Sequence, residues 1–100
     1  MPPRLDPDAL AQALRDLPGW ELDEGAGEPR LTRSLRFPDF AAALAFTDRV
    51  GALAEQHDHH PALLTEWGRV TVSWWTHTAG GVTSADVAMA RRTSELAERA

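Results

Sequence analysis

The sequence predicts an α+β domain with the element order α-β-β-α-β-β-α: a four-stranded antiparallel sheet with helices packed on one face. Three observations predict it. Three segments carry apolar residues at helical spacing, and four carry the apolar–polar alternation of strands. The strands fall in pairs joined by short polar turns, which makes neighbours antiparallel and leaves the helices to one face. The 100-residue length suits one domain over residues 1–100, with a single modest core.

The elements follow in order. Asp6-Pro7-Asp8 opens the first helix: Asp6 caps, Pro7 suits the first helical position, and Asp8 favours the positive end of the dipole. Leu10, Ala13, Leu14 and Leu17 share a face, and Pro18-Gly19 ends the helix near Leu17. Trp20-Glu21-Leu22 reads as a short strand and Asp23–Pro29 as a polar turn. Leu31–Phe37 alternates again and pairs with the first strand. It puts Arg33 on the otherwise apolar face of Leu31, Leu35 and Phe37.

Pro38-Asp39 opens a second helix from Asp39 to about Gln56. Its stripe is Phe40, Leu44, Thr47, Val50 and Ala54, widened by Ala43, Phe46 and Leu53. Gly51 inside it costs about 1 kcal/mol against Ala and marks a candidate tight contact. The helix must end by His60, because Pro61 disfavours helical geometry in the residue before it. Ala62–Thr65 is a short strand, Glu66-Trp67-Gly68 a turn, and Arg69–His77 the clearest strand of the chain. Val70, Val72, Trp74 and Thr76 lie on one of its faces; Arg69, Thr71, Ser73, Trp75 and His77 lie on the other. After the flexible break Ala79-Gly80-Gly81, Thr83-Ser84-Ala85-Asp86 has the spacing of a capping box. The last helix runs from Ser84 to about Arg99, with Val87, Ala90, Arg91, Ser94 and Ala97 along one side and Met89, Thr93 and Leu96 beside them.

Composition excludes several function classes. With no cysteine there is no disulfide framework, thiolate metal site or Cys nucleophile. All ten basic residues are Arg, which excludes lysine Schiff-base chemistry. A net charge of −5 without a basic cluster argues against nucleic-acid binding. No signal-peptide core and no membrane-length apolar run is present, so no membrane partner and a cytoplasmic location are expected.

The informative stretch is Gln56–Thr83, which holds all four histidines: His57, His59, His60 and His77. With the hairpin turn centred between Trp67 and Gly68, His77 falls opposite Asp58; half a residue of shift puts it opposite His59. Gly80-Gly81 turns the chain back over that end, where Asp86 comes near. Imidazole is the natural proton shuttle at neutral pH, and clustered imidazoles with a carboxylate hold an acid and a base together. Blander readings stand beside this one. His77 alone reads as a structural histidine, Asp86 alone as a helix cap, and Trp74-Trp75 as core and interface. A zinc site has weak support, since neither HExxH spacing nor Cys is present.

The set Asp58-His59-His60-Pro61, Trp67, Thr76-His77, Gly80-Gly81-Val82-Thr83 and Asp86 resembles the signature of the pterin-4a-carbinolamine dehydratases. The Pro-Gly-Trp before the first strand and Phe37 leading through Asp39-Phe40 agree with it, so the resemblance spans nearly the whole chain. It implies the same α+β fold. It also implies dehydration of 4a-hydroxytetrahydrobiopterin, or a related 4a-hydroxytetrahydropterin, to quinonoid dihydropterin. No cofactor is implied, because the pterin is the substrate. A homodimer or homotetramer and action alongside an aromatic amino acid hydroxylase are implied as well. The resemblance gives His59, His60 and His77 as active-site histidines and Asp86 as the acid behind them. His59 and His77 are then the acid–base pair, with neither assigned to one role; His60 positions the pterin and Asp86 fixes a tautomer. Asp58, Pro61, Trp75 and Thr76 are the expected substrate contacts. Ala62-Leu63-Leu64 and Trp74-Trp75 depart from the family pattern, which places any difference at the pterin rim. His57 falls outside the motif and reads as a solvated helix end.

Overall fold

Helix starts are held by side chains that accept the first free N–H groups. The computed structural model describes residues 2–25 and 27–100. In α1 (Pro7–Arg15) the Asp6 carboxylate accepts from the Ala9 N–H at 2.8 Å. In α2 (Phe40–His57) Asp39 accepts from Ala42 at 2.8 Å. In α3 (Ser84–Glu98) Thr83 and Asp86 form a complete capping box. Helix α1 ends at Arg15 and not at Leu17. The chain tightens there into bonds from Asp16 to Ala13 and from Leu17 to Leu14, ahead of Pro18. Leu17 still reaches the core, at 2% exposure.

The strands β1 (Glu21–Asp23), β2 (Arg30–Arg36), β3 (Ala62–Glu66) and β4 (Arg69–Trp74) form one antiparallel sheet in the order β1-β2-β4-β3. Ala26, inside the turn read over 23–29, lies outside the described residues. The β3–β4 hairpin has the expected register, with Glu66 opposite Arg69 and Ala62 opposite Ser73. Arg33 does share the face of Leu31 and Leu35. It is tolerated because its guanidinium donates to Ser94 Oγ on α3 at 3.0 Å, and Trp20 Nε1 donates to the same hydroxyl at 2.9 Å.

Helix α2 lies over β3 and β4, and α3 over β2 and β4, so both cover one face of the sheet. The core joins Leu31, Leu35, Val70, Val72 and Trp74 of the sheet to Ala43, Phe46, Val50 and Ala54 of α2 and to Val87, Met89 and Ala90 of α3. The α2 stripe is turned from the expected one: Ala43 and Phe46 are fully buried, while Phe40 and Leu44 are each 45% exposed. Small Ala43 and Ala54 let the helix approach, Phe46 meets Phe37 at 5.0 Å between ring centroids, and Thr47 bonds Thr65 at 2.6 Å. Gly51 makes no tight contact; a Cβ there would meet nothing within 4 Å. On α3, Arg91 is exposed and the buried line runs through Met89 and Thr93 instead.

The strand expected through His77 ends at Trp74. Thr76 pairs with Gly81, its N–H donating to the Gly81 carbonyl at 2.8 Å, and His77–Ala79 form a 3₁₀ turn. The partner strand also stops, because Pro61 has no N–H to continue the ladder. The direct opposition of His77 to Asp58 is therefore not formed as a strand pair.

Candidate active site

The site is assembled at the end of the sheet where α2 stops, β4 runs out and α3 begins. Asp58 closes α2 in the left-handed region (φ 48°, ψ 44°), a conformation that Asp tolerates better than most residues. The next N–H, of His59, bonds back to the Ala54 carbonyl at 3.1 Å. This reversal turns His59 inward. Its ring stacks on the fully buried Trp74, at 5.6 Å between centroids and 25° between planes. Its Nε2 lies 2.5 Å from Asp86 Oδ1.

Asp86 is fully buried and behind the cleft. Its Oδ2 accepts from the Thr83 N–H at 2.8 Å and from the Thr76 hydroxyl at 2.8 Å. The Thr76 and Thr83 hydroxyls are 2.9 Å apart. Each hydroxyl has one proton. Thr76 gives its proton to Asp86, and the Thr83 hydroxyl has acceptors in both Thr76 Oγ1 and, at 3.3 Å, Asp86 Oδ2, which leaves no lone donor. One carboxylate thus caps α3 with one oxygen and holds His59 with the other. An ionised carboxylate only accepts, so His59 carries its proton on Nε2 and keeps Nδ1 as the second nitrogen.

Asp58, His59, His60, Trp75, Thr76, His77 and Thr78 line one open cleft of about 230 Å³. A larger hollow of about 410 Å³, lined by Arg4, Leu5, Leu10, Leu22, Glu24 and Val82 among others, contains no imidazole. The imidazoles line the smaller one. Three histidines reach the cleft with different surroundings. His59 is largely covered, with a side chain 20% exposed. His60 is exposed and its Nε2 lies 2.5 Å from Glu55 Oε2. His77 is 85% exposed and its Nδ1 lies 2.8 Å from Glu28 Oε1. Trp75 is half-buried, with the Arg30 guanidinium 3.8 Å over its ring. Pro61 does not line the cleft; it leads the chain from His60 into β3. His57, the last residue of α2, is exposed and outside it. Among the described residues no three His, Asp or Glu side chains stand together as a metal site would need.

Sequence reading missed the carboxylates of Glu28 and Glu55 and the support that Trp74 gives His59. Glu55 lies five positions before His60, across a helix end whose reversal no pattern announces. Glu28 lies 49 positions from His77, in the bend before β2, and meets it only in the folded chain.

Comparison with known proteins gives one consistent result. The family model for pterin 4 alpha carbinolamine dehydratase matches residues 3–96. A protein of Chlorobium limicola provisionally named pterin-4-alpha-carbinolamine dehydratase is 55% identical over 91 residues, covering 91% of this chain and 80% of that one. A Chlorobaculum tepidum protein with the same provisional name is 54% identical over 89 residues, covering 89% and 80%. The crystal structure of a transcriptional coactivator/pterin dehydratase from Brucella melitensis superposes with a TM-score of 0.86 at 38% identity, covering 94% of this chain and 98% of that chain. A pterin dehydratase-like protein identified as a RuBisCO assembly factor in the alpha-carboxysome superposes with a TM-score of 0.66 at 26% identity, covering 79% and 89%. With the fold, the histidine cleft and a family match over nearly its whole length, the chain belongs to the pterin-4a-carbinolamine dehydratase family.

Proposed function

We propose that this chain dehydrates 4a-hydroxytetrahydrobiopterin, or a related 4a-hydroxytetrahydropterin, to quinonoid dihydropterin and water, and so recycles a tetrahydropterin cofactor. The observation that carries the reading is His59, a cleft imidazole stacked on Trp74 and tied to the fully buried Asp86. In the reaction the C–O bond at the carbinolamine carbon breaks. The oxygen leaves as water after taking a proton from an imidazolium. A neutral imidazole takes a ring N–H proton, and the electron pair left behind forms the new C=N bond. One acid and one base in one cleft are enough, so the reaction needs neither metal nor redox cofactor. His59 and His77 are the pair; His60, Asp58, Trp75 and Thr76 line the remaining wall. Fixing the His59 ring before the substrate arrives removes orientational cost from the transition state.

The setting goes with the reaction: a cytoplasmic enzyme, a homodimer or homotetramer, acting alongside an aromatic amino acid hydroxylase that releases the 4a-hydroxy product. The test is a coupled hydroxylase assay that follows loss of the 4a-hydroxy intermediate. Purified protein accelerates that loss, and His59→Ala or His77→Ala each lowers the gain by about 10²-fold or more. Unchanged rates in both variants defeat the site assignment. A second reading, a non-catalytic pterin-binding or dimerisation module, is suggested by the RuBisCO assembly factor on the same fold. Pterin binding without turnover in the wild-type protein would favour it.

A further inference from the structure

The last ladder pair at the cleft end of β2 and β4 sets Leu31 opposite Trp74. Beyond it the ladder stops: Trp75 follows the end of β4, His77 starts the 3₁₀ turn, and Glu28 lies in the bend before β2. Two side-chain contacts still join the segments: Arg30 lies 3.8 Å over the Trp75 ring, and Glu28 Oε1 lies 2.8 Å from His77 Nδ1. Glu28 lies in that bend and Arg30 is the first residue of the strand, so neighbouring positions of one segment meet His77 and Trp75. The Arg30 Nε is buried without a hydrogen-bond partner among the described residues, so the stack on Trp75 is the contact seen to hold this side chain.

We infer that Glu28 is a positioning residue of the site, holding His77 in one tautomer and orientation. The inference rests on the reading of His77 as a proton-transfer group. An ionised carboxylate only accepts, so the Nδ1 facing Glu28 carries the proton and Nε2 is the nitrogen left for chemistry. His59 is held the opposite way, through Nε2 by Asp86, leaving Nδ1. The two cleft histidines are thus held through opposite ring nitrogens by carboxylates from different parts of the chain, and whichever is neutral is fixed in one tautomer. His77 needs the hold more: its side chain is 85% exposed against 20% for His59. An exposed imidazole on a short 3₁₀ turn otherwise samples several rotamers and both tautomers.

The test uses the full chain as wild type, Glu28→Ala and Glu28→Gln. Nitrogen NMR of labelled histidine reads the His77 tautomer, and the coupled assay reads kcat and KM separately. Wild type and Glu28→Gln keep the proton on Nδ1, because the amide oxygen still accepts; Glu28→Ala shows the mixed tautomers of a free imidazole. The same alanine variant loses kcat by up to about five-fold with KM unchanged, the scale of an exposed pair, and glutamine restores most of it. An identical His77 spectrum in wild type and Glu28→Ala overturns the inference, as does an unchanged kcat in an active enzyme. A wild-type protein without turnover defeats the proposed reaction instead, and the NMR comparison then decides by itself whether Glu28 holds His77.

Discussion

Asp86 shows how one side chain links stability to a site. With one oxygen it satisfies the Thr83 N–H at the start of α3 and the Thr76 hydroxyl at the end of β4; with the other it meets His59. Removing it leaves buried donors unmet, at about 1–3 kcal/mol, on top of the lost helix cap. Asp86→Ala is therefore expected to lower the free energy of unfolding by at least about 2 kcal/mol in urea titration. Asp86→Asn, with one accepting oxygen and one donating nitrogen, falls between. An unchanged midpoint for Asp86→Ala would mean that water replaces the carboxylate, contrary to its complete burial. The sequence showed Asp86 as a cap by its spacing from Thr83. The resemblance puts it behind the histidines as the group that fixes a tautomer, without saying which ring it meets, because the bond to His59 spans 27 positions and depends on the left-handed turn at Asp58.

At the scale of elements, the close contact expected at the helix glycine Gly51 is found instead at the turn glycine Gly68. Gly68 sits in the β3–β4 turn at φ +73°, and a Cβ there would stand 3.0 Å from the Phe37 carbonyl oxygen. Gly51 sits inside α2 with open space where a Cβ would go. Gly68→Ala is expected to destabilise by about 1–2 kcal/mol from backbone strain alone. Gly51→Ala is expected to stabilise by roughly 0.5–1 kcal/mol from helix propensity. Thermal or urea unfolding of the two variants side by side checks both signs, and a shift in the same direction for both would contradict the packing described. The same scale explains the ends of the expected strand. Alternation continues to His77 in the sequence, but backbone bonds follow partners. Thr76 finds Gly81 while Pro61 has no donor to offer.

Across the whole molecule, one face of the sheet is covered by α2 and α3, and large apolar groups stay exposed. Phe40 and Leu44 are 45% exposed on one face of α2; Leu64 and Trp67 are 56% and 73% exposed on the β3–β4 hairpin. We propose that the homo-oligomer forms through these surfaces. Light scattering on purified protein is expected to give a mass of two or four chains at micromolar concentration, and Leu44→Glu to lower it. A monomer in the wild-type protein would sink the proposed assembly and leave the cleft chemistry to one chain.

By itself the sequence determined the element order, the caps at Asp6, Asp39 and Thr83, the hairpin register around Trp67-Gly68 and the membership of His59, His60 and His77 in one motif. The elements, caps and register rest on local periodicity and turn chemistry, which act within a few residues; the histidine motif rests on the resemblance to the family signature. The tertiary structure alone decided which face of α2 meets the sheet, where β4 stops, and which carboxylate each histidine meets. Those outcomes depend on side-chain volumes and strand partners brought together from far apart in the chain. Asp86 reaches His59 from the start of α3, and Glu28 reaches His77 from the bend before β2.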